Sequence, residues 1–284
     1  MSEDAWSRFV EMVRGGDRPP FARHWETFQA AYEDRPAHEP PPPAWWPDPA
    51  TRERSNLAWI MGEAGVDGYA ALHRWSFENR EALWEKTLGR LGIVFEQPPE
   101  AVLDLSRGIE SPRWLPGARL DITRSCFAAD AERPAILFGR EGSGDLETLT
   151  LGELEEMVDR FAGGLRQAGC SPGDAVALYM PMTPECVAAY LGTVRGGCRV
   201  VSVADSFSPA ELAKRMEIAG ARVVVTPRAY HRAGKEIGLY AKVREAFASL
   251  EGRPAAIVLG GGPLEEGDVA WEDFLAPEPS GLSF

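Results

Sequence analysis

Between Pro227 and Gly238 the sequence carries Arg228, His231, Arg232 and Lys235 against a single acid, Glu236. The whole chain holds 43 acidic and 30 basic residues, a formal net charge of −13, so this local excess of cations stands out. Guanidinium and ammonium groups spaced this closely can hold a phosphate by charge-assisted hydrogen bonds. The same residues also fit a solvated loop ahead of a helix, and spacing alone leaves both readings open. Other chemistries lack their patterns. No G-x-G-x-x-G joins a strand to a helix, so a nicotinamide oxidoreductase is disfavoured, and G-x-x-x-x-G-K-[ST] does not occur. Gly260-Gly261-Gly262-Pro263 reads as a plain turn, because no Lys, Ser or Thr follows in place. No serine occupies a G-x-S-x-G elbow. Cys126, Cys170, Cys186 and Cys198 form no C-x-x-C pair, and the four histidines do not cluster with them at ligand spacing. Neither a disulfide framework nor a metal centre is expected.

The elements that must position these groups change character along the chain. Eight of the nine tryptophans precede residue 115. In that part Trp6, Phe9, Val10 and Val13 form one i, i+3, i+4, i+7 stripe, and Phe21, Trp25, Phe28 and Tyr32 form another. Leu83, Trp84, Leu88 and Leu91 suggest a further helix, with Asn79 as its cap. Pro40-Pro41-Pro42-Pro43 predicts a stiff extended connector. From about residue 135, short β-branched runs alternate with capped helices. Strands are predicted at 135–138, 175–180, 200–203, 222–226 and 255–259. Thr150-Leu151-Gly152-Glu153 and Ser208-Pro209-Ala210-Glu211 read as capping boxes, and Thr183-Pro184 pairs a cap with proline at the first helical position. Leu154, Val158, Phe161 and Leu165 define one buried helix face; Val187, Tyr190, Leu191 and Val194 define the next. Gly169, Gly196-Gly197 and Gly220 supply the stops.

Alternating strands and helices with near-continuous apolar strands predict an α/β fold. The expected architecture is a doubly wound, mostly parallel sheet with helices on both faces, preceded by a mainly helical, Trp-rich region. The domain division is placed at 1–115 and 116–284. Ligands in such sheets sit outside the carboxyl ends of the strands. Those ends are the loops at Pro181–Thr183, Ala204–Phe207, Pro227–Gly238 and Gly260–Gly262. The chain's negative charge disfavours nucleic acid as a partner. No apolar run approaches the roughly 20 residues of a membrane span. With a polar N-terminus and few cysteines, a cytoplasmic location is expected.

The run Val176-Ala177-Leu178-Tyr179-Met180-Pro181-Met182-Thr183-Pro184-Glu185 resembles the acyl-CoA synthetases of the adenylate-forming superfamily, on their acetyl-CoA synthetase-like branch. The likeness continues through Ser206-Phe207-Ser208-Pro209-Ala210-Glu211-Leu212, Ala221–Thr226 and Arg232-Ala233-Gly234-Lys235, the last being similar to that family's R-G-G-K. Trp75-Ser76-Phe77-Glu78-Asn79 and Pro112-Arg113-Trp114-Leu115-Pro116-Gly117 fit the branch's N-terminal region. The resemblance implies a carboxylate activated by ATP and Mg²⁺ to an acyl-adenylate, which the thiol of coenzyme A then converts to a thioester. It also implies a phosphate loop, [ST]-[ST]-G-T-T-G-x-P-K, which lies downstream of the region matched. Residues 1–284 stop at Leu282-Ser283-Phe284, about where that loop begins, so the expectation is the N-terminal part of such a ligase, inactive alone.

The resemblance further places coenzyme A on this part. Arg232 and Lys235 correspond to the ends of the basic segment near the coenzyme A phosphates. Ala204, Asp205 and Ser206 correspond to a F-G-G turn at its nucleotide end, with both glycines replaced. Asp205 can bond adenine or ribose, or cap the next helix. No catalytic residue and no metal ligand is expected within these residues. The expected partners are a small carboxylate, coenzyme A and a separate C-terminal half. The alternative is a non-catalytic module, derived from such a ligase, that binds coenzyme A or a nucleotide.

Overall fold

The computed structural model describes residues 3–15, 19–33, 36, 38, 45 and 47–276. The Pro40–Pro43 connector lies outside the described residues. The chain divides into two compact units, residues 1–83 and 84–284.

The first unit contains helices α1 (Glu3–Arg14), α2 (Phe21–Tyr32), α3 (Pro49–Glu53), α4 (Asn56–Ala64) and α5 (Tyr69–Glu78). The two predicted aromatic stripes meet where α1 faces α2. Trp6 lies 5.5 Å from Phe9 and 6.2 Å from Phe28, ring centre to ring centre. The packing is partial, because Phe21 and Trp25 stack on one another yet remain largely exposed. Helix α6 (Arg80–Arg90) follows. Asn79 closes the preceding helix, its side-chain amide donating to the Trp75 carbonyl at 3.1 Å, while its own carbonyl accepts a bond from the Leu83 N–H of α6 at 2.9 Å.

The second unit opens with β1 (Leu103–Asp104) and β2 (Arg113–Trp114), an antiparallel pair, and α7 (Ile122–Cys126). Next come β3 (Pro134–Phe138) and β4 (Glu147–Thr150), then α8 (Leu151–Gln167), β5 (Ala175–Tyr179), α9 (Pro184–Arg195) and β6 (Arg199–Val203). Helix α10 (Pro209–Ala219) leads to β7 (Ala221–Pro227), β8 (Ala229–Arg232), β9 (Lys235–Gly238) and α11 (Leu239–Phe247). The described part ends with β10 (Ala255–Leu259), β11 (Val269–Ala270) and α12 (Trp271–Phe274).

Strands β11-β10-β7-β5-β6 form one five-stranded sheet, parallel throughout. Side chains alternate across a strand, and the sheet is covered on both faces accordingly. Ala175, Ala177 and Tyr179 of β5 face α10 and α11, packing with Leu212, Met216, Val243 and Phe247. Val176, Leu178 and Met180 face the other way, onto Phe161, Leu165, Ala189, Trp271 and Phe274. Fully burying a large apolar side chain is worth about 1.5–3 kcal/mol, so these two layers carry much of the fold. The expected strand at 135–138 forms, but it pairs antiparallel with β4 and stands apart from the main sheet.

Helix starts follow the predicted chemistry with one exception. At Thr150 the full reciprocal box is present: Glu153 N–H donates to the Thr150 hydroxyl at 3.3 Å and Thr150 N–H to the Glu153 carboxylate at 2.8 Å. At Ser208 only half of it forms. Glu211 N–H reaches Ser208, but the Glu211 carboxylate is taken by Arg215 one turn on. The face of α9 matches expectation in part: Val187 and Leu191 pack against the core half-buried, but smaller residues lie deeper. Ala188, Ala189, Gly192 and Thr193 are buried while Tyr190 is exposed. Small residues face inward because α8 runs close: a Cβ on Gly192 would stand 2.8 Å from both Phe161 and the Val158 carbonyl.

Candidate functional site

The sheet order places its switch point between β5 and β7. The chain leaves β5 toward β6 on one side, and leaves β7 toward β10 on the other. In open α/β sheets that point marks the ligand crevice. A cleft of about 940 Å³ opens there, lined among others by Met180, Pro181, Thr183, Pro227, Tyr230 and Leu259. Its size is that of a nucleotide or cofactor site.

The segment Pro227–Gly238, read as a loop from sequence, is instead a hairpin. Strands β8 and β9 pair with Arg232 opposite Lys235, and Ala233 and Gly234 make the two-residue turn. Both turn residues have positive φ, 53° and 72°. That is the twist a tight hairpin needs, and it is costly for alanine. The hairpin is tied at two places. Its tip amide, Gly234 N–H, donates to the Glu141 carboxylate at 2.7 Å, reaching the β3–β4 loop. Its base packs Tyr230 and Ile237 onto the core.

Tyr230 and Arg232 lie two residues apart and therefore share a face of β8. Both turn toward Asp205, in the loop after β6. The Tyr230 hydroxyl donates to the Asp205 carboxylate, and Arg232 Nη1 stands 3.9 Å from the same oxygen, Oδ2. Beneath them Tyr179, fully buried at the end of β5, donates its hydroxyl to the Phe207 carbonyl at 2.6 Å, with the Asp205 carbonyl 3.1 Å away. Tyr179 thus fixes the backbone that presents Asp205. Burial pushes the Tyr179 phenol up to about 12, with the Asp205 charge adding to it. The Tyr230 phenol is raised for the same reasons, burial first and then its bond to Asp205. The Arg232 guanidinium is held still more firmly protonated, by its bond to Tyr230 and by the Asp205 charge.

Of the residues singled out from sequence, the structure brings Asp205 and Arg232 together. Lys235 stands across the hairpin from Arg232, and Ala204 and Ser206 flank Asp205 in exposed positions. The guanidinium is 65% exposed while the Asp205 side chain is 17% exposed, so the cation faces solvent with its counter-ion behind it. Arg228 faces elsewhere, packing over Tyr240 and donating to the Pro263 carbonyl at 2.8 Å. Tyr230 and Glu141 were not singled out from sequence. A tyrosine two residues before a cation in a β-run was the available signal for Tyr230; Glu141 reaches the hairpin from 93 residues away and left none. Among the described residues no group of three or more His, Cys, Asp or Glu gathers to hold a metal ion, and no helix is long and apolar enough to cross a membrane.

The fold is an open parallel α/β layer with a cleft at its switch point; Tyr230 and His231 of the hairpin line that cleft, whereas Arg232, Lys235 and Asp205 stand outside its lining. Residues 124–280, more than half of the chain, match the AMP-binding enzyme family, and residues 69–126 match the acetyl-coenzyme A synthetase N-terminus. The chain belongs to the AMP-binding enzyme family. It is similar to "Probable acyl-activating enzyme 17, peroxisomal" of Arabidopsis thaliana, 34% identical over 90% of this chain and 38% of that protein. It is also similar to "Hexanoyl-CoA synthase" of Cannabis sativa, 31% identical over 95% of this chain and 40% of that protein. Among solved structures, the acetoacetyl-CoA synthetase from Streptomyces lividans superposes with a TM-score of 0.73 at 29% identity, covering 84% of this chain and 38% of that one. The chain therefore spans about two fifths of the length of these relatives.

Proposed function

We propose that residues 1–284 form the coenzyme A-accepting part of an ATP-dependent carboxylate–CoA ligase, whose complete reaction converts carboxylate, ATP and coenzyme A to acyl-CoA, AMP and pyrophosphate. Arg232 and Lys235 take phosphoryl oxygens of coenzyme A, and Ala204, Asp205 and Ser206 line its nucleotide end. The observation that carries this reading is the Asp205–Tyr230–Arg232 cluster. It joins two segments 25 residues apart at the sheet's ligand rim and leaves Arg232 facing outward. The division into an accessory helical part at 1–115 and an α/β part at 116–284 belongs to the same proposal; the matched family segments change over near residue 125, and the compact units divide between residues 83 and 84.

ATP and Mg²⁺ supply the activation of the acid in this class of enzyme. No [ST]-[ST]-G-T-T-G-x-P-K occurs in residues 1–284. Residues 1–284 alone are accordingly expected to bind coenzyme A without turning over, and to complete the reaction only with polypeptide that carries the phosphate loop.

Calorimetric titration of coenzyme A into the 284-residue chain, compared with Arg232→Ala, tests the site. Removing a phosphate-pairing guanidinium is expected to weaken binding about tenfold or more. Equal affinities would take Arg232 out of the site. ATP–pyrophosphate exchange over a panel of carboxylates tests the rest: robust exchange by residues 1–284 alone would overturn the prediction that they do not activate the acid.

A further inference from the structure

Two narrow ribbons contribute to the wall of the cleft. Strands β3 and β4 form one, β8 and β9 the other, and neither belongs to the main sheet. Gly139, Arg140 and Glu141, from the loop after β3, line the cleft, as do Ala229, Tyr230 and His231 of β8. The bond from Gly234 N–H to the Glu141 carboxylate, 2.7 Å long, ties the first ribbon to the tip of the second. Both ends are prepared for it. Arg140 pairs with Glu147 at 3.3 Å, and its carbonyl accepts from Ser143 N–H at 3.0 Å, which fixes the loop where Glu141 leaves it. At the other end Arg232 stands directly opposite Lys235, and like charges so placed weaken a ribbon. A carboxylate held at the tip offsets that repulsion.

We propose that Glu141 is a displaceable strap: bound to Gly234 it holds the β3–β4 loop against the hairpin and narrows the cleft, and an external phosphoryl anion that takes its place at the hairpin tip frees the loop and opens the cleft. That the tip accepts an oxyanion is visible in the contact itself, because a carboxylate already sits there. Gly234 has one N–H to give, so a phosphoryl oxygen and the Glu141 carboxylate compete for it. The incoming anion neutralises Arg232 and Lys235 in turn, so the hairpin stays formed when the loop lets go. The bond is exposed and joins two-stranded elements, which have little stability of their own, so the loop is free to move once released. The inference goes beyond the coenzyme A reading, and no part of it requires the anion to be coenzyme A.

The test is hydrogen–deuterium exchange on the 284-residue chain, read over residues 139–147 and 229–238, for the wild type and Glu141→Ala, with and without inorganic pyrophosphate at one ionic strength. Without the anion, the variant is expected to exchange about three- to tenfold faster in both segments, as the loss of one hydrogen bond implies. Adding pyrophosphate to the wild type is expected to speed exchange over 139–147 to the variant's rate while slowing it over 229–238. In calorimetry, Glu141→Ala is expected to bind pyrophosphate about three- to tenfold more tightly than the wild type, because its internal competitor is gone. Unchanged exchange in the variant would refute the strap. Pyrophosphate that slows both segments of the wild type, that binds both proteins equally, or that binds neither would refute the displacement. A failed coenzyme A titration with these results intact would remove the coenzyme A reading alone.

Discussion

Ala233 shows how a single methyl group is tolerated where the backbone disfavours it. Its φ of 53° belongs to a turn whose neighbour, Gly234, adopts such a conformation freely. The left-handed region costs a non-glycine residue about 1–2 kcal/mol, partly offset by the greater freedom glycine loses on folding. Ala233→Gly is therefore expected to stabilise the chain by about 0.5–1 kcal/mol in urea unfolding. A lower midpoint would show that the turn is not under strain. Tyr179 gives a second prediction. Its phenol is raised to about 12 in the folded chain against an ordinary value of 10.0, so the folded state favours the neutral form. That contribution is complete below pH 10 and is lost as pH rises toward 12. Urea midpoints of the wild type are expected to fall across that window more steeply than those of Tyr179→Phe, and parallel curves would refute it. At this scale the sequence revealed charges but not their partners. Arg232 and Asp205 could each be named from their loops, yet Tyr230, which joins them, looked like one more residue of a polar segment.

At the scale of elements, helix α8 is the piece most fully specified by its own residues. Its reciprocal cap, the buried run Leu154, Val158, Phe161 and Leu165, and Gly169 at φ 77° were all readable in advance. The cap makes its stability depend on pH. The Glu153 carboxyl is held below its ordinary value of 4.5, chiefly by the Thr150 N–H and then by the Thr150 hydroxyl. Its contribution is present above that value and is lost as pH falls through the lowered one. The stability gap between wild type and Glu153→Gln is thus expected to be full near neutrality and to close in acid; an unchanging gap would argue against the cap. Where α8 meets α9, Gly192→Ala forces a methyl against Phe161 and is expected to cost about 1–3 kcal/mol in urea unfolding. Strand positions were legible to within a residue or two, because a β-branched run in the core permits little else. Strand partners were not. The run at 134–138 carries the right residues for a strand, but nothing local says that it pairs with β4 instead of joining the sheet. The hairpin escaped notice because its strands are four residues long and bear mostly polar side chains. The inward face of α9 was found only in part, at Val187 and Leu191, because periodicity follows large apolar residues, whereas a close helix contact selects small ones.

For the whole molecule, two opposing terms govern behaviour in solution. A net charge of −13 keeps copies apart. Against this, β6 pairs only with β5 among the described residues, leaving a strand edge, and Leu137, Leu146 and Met182 are largely exposed. Open edges and apolar surface promote association. Salt shortens the reach of the repulsion from about 10 Å at 0.1 M to about 3 Å at 1 M. The mass measured by light scattering is expected to rise with protein concentration, and to do so at lower concentration in high salt. A monomer insensitive to both would mean that edge and apolar surface are already protected.

Arg160 and Ala276 clasp each other twice. The Ala276 N–H donates to the Arg160 carbonyl at 3.1 Å, and Arg160 Nε returns a bond to the Ala276 carbonyl at 2.9 Å. Arg160 and Leu275 belong to the wall of the cleft. The two bonds join positions 116 residues apart, so the last described residue is pinned to the same wall of the cleft as α8.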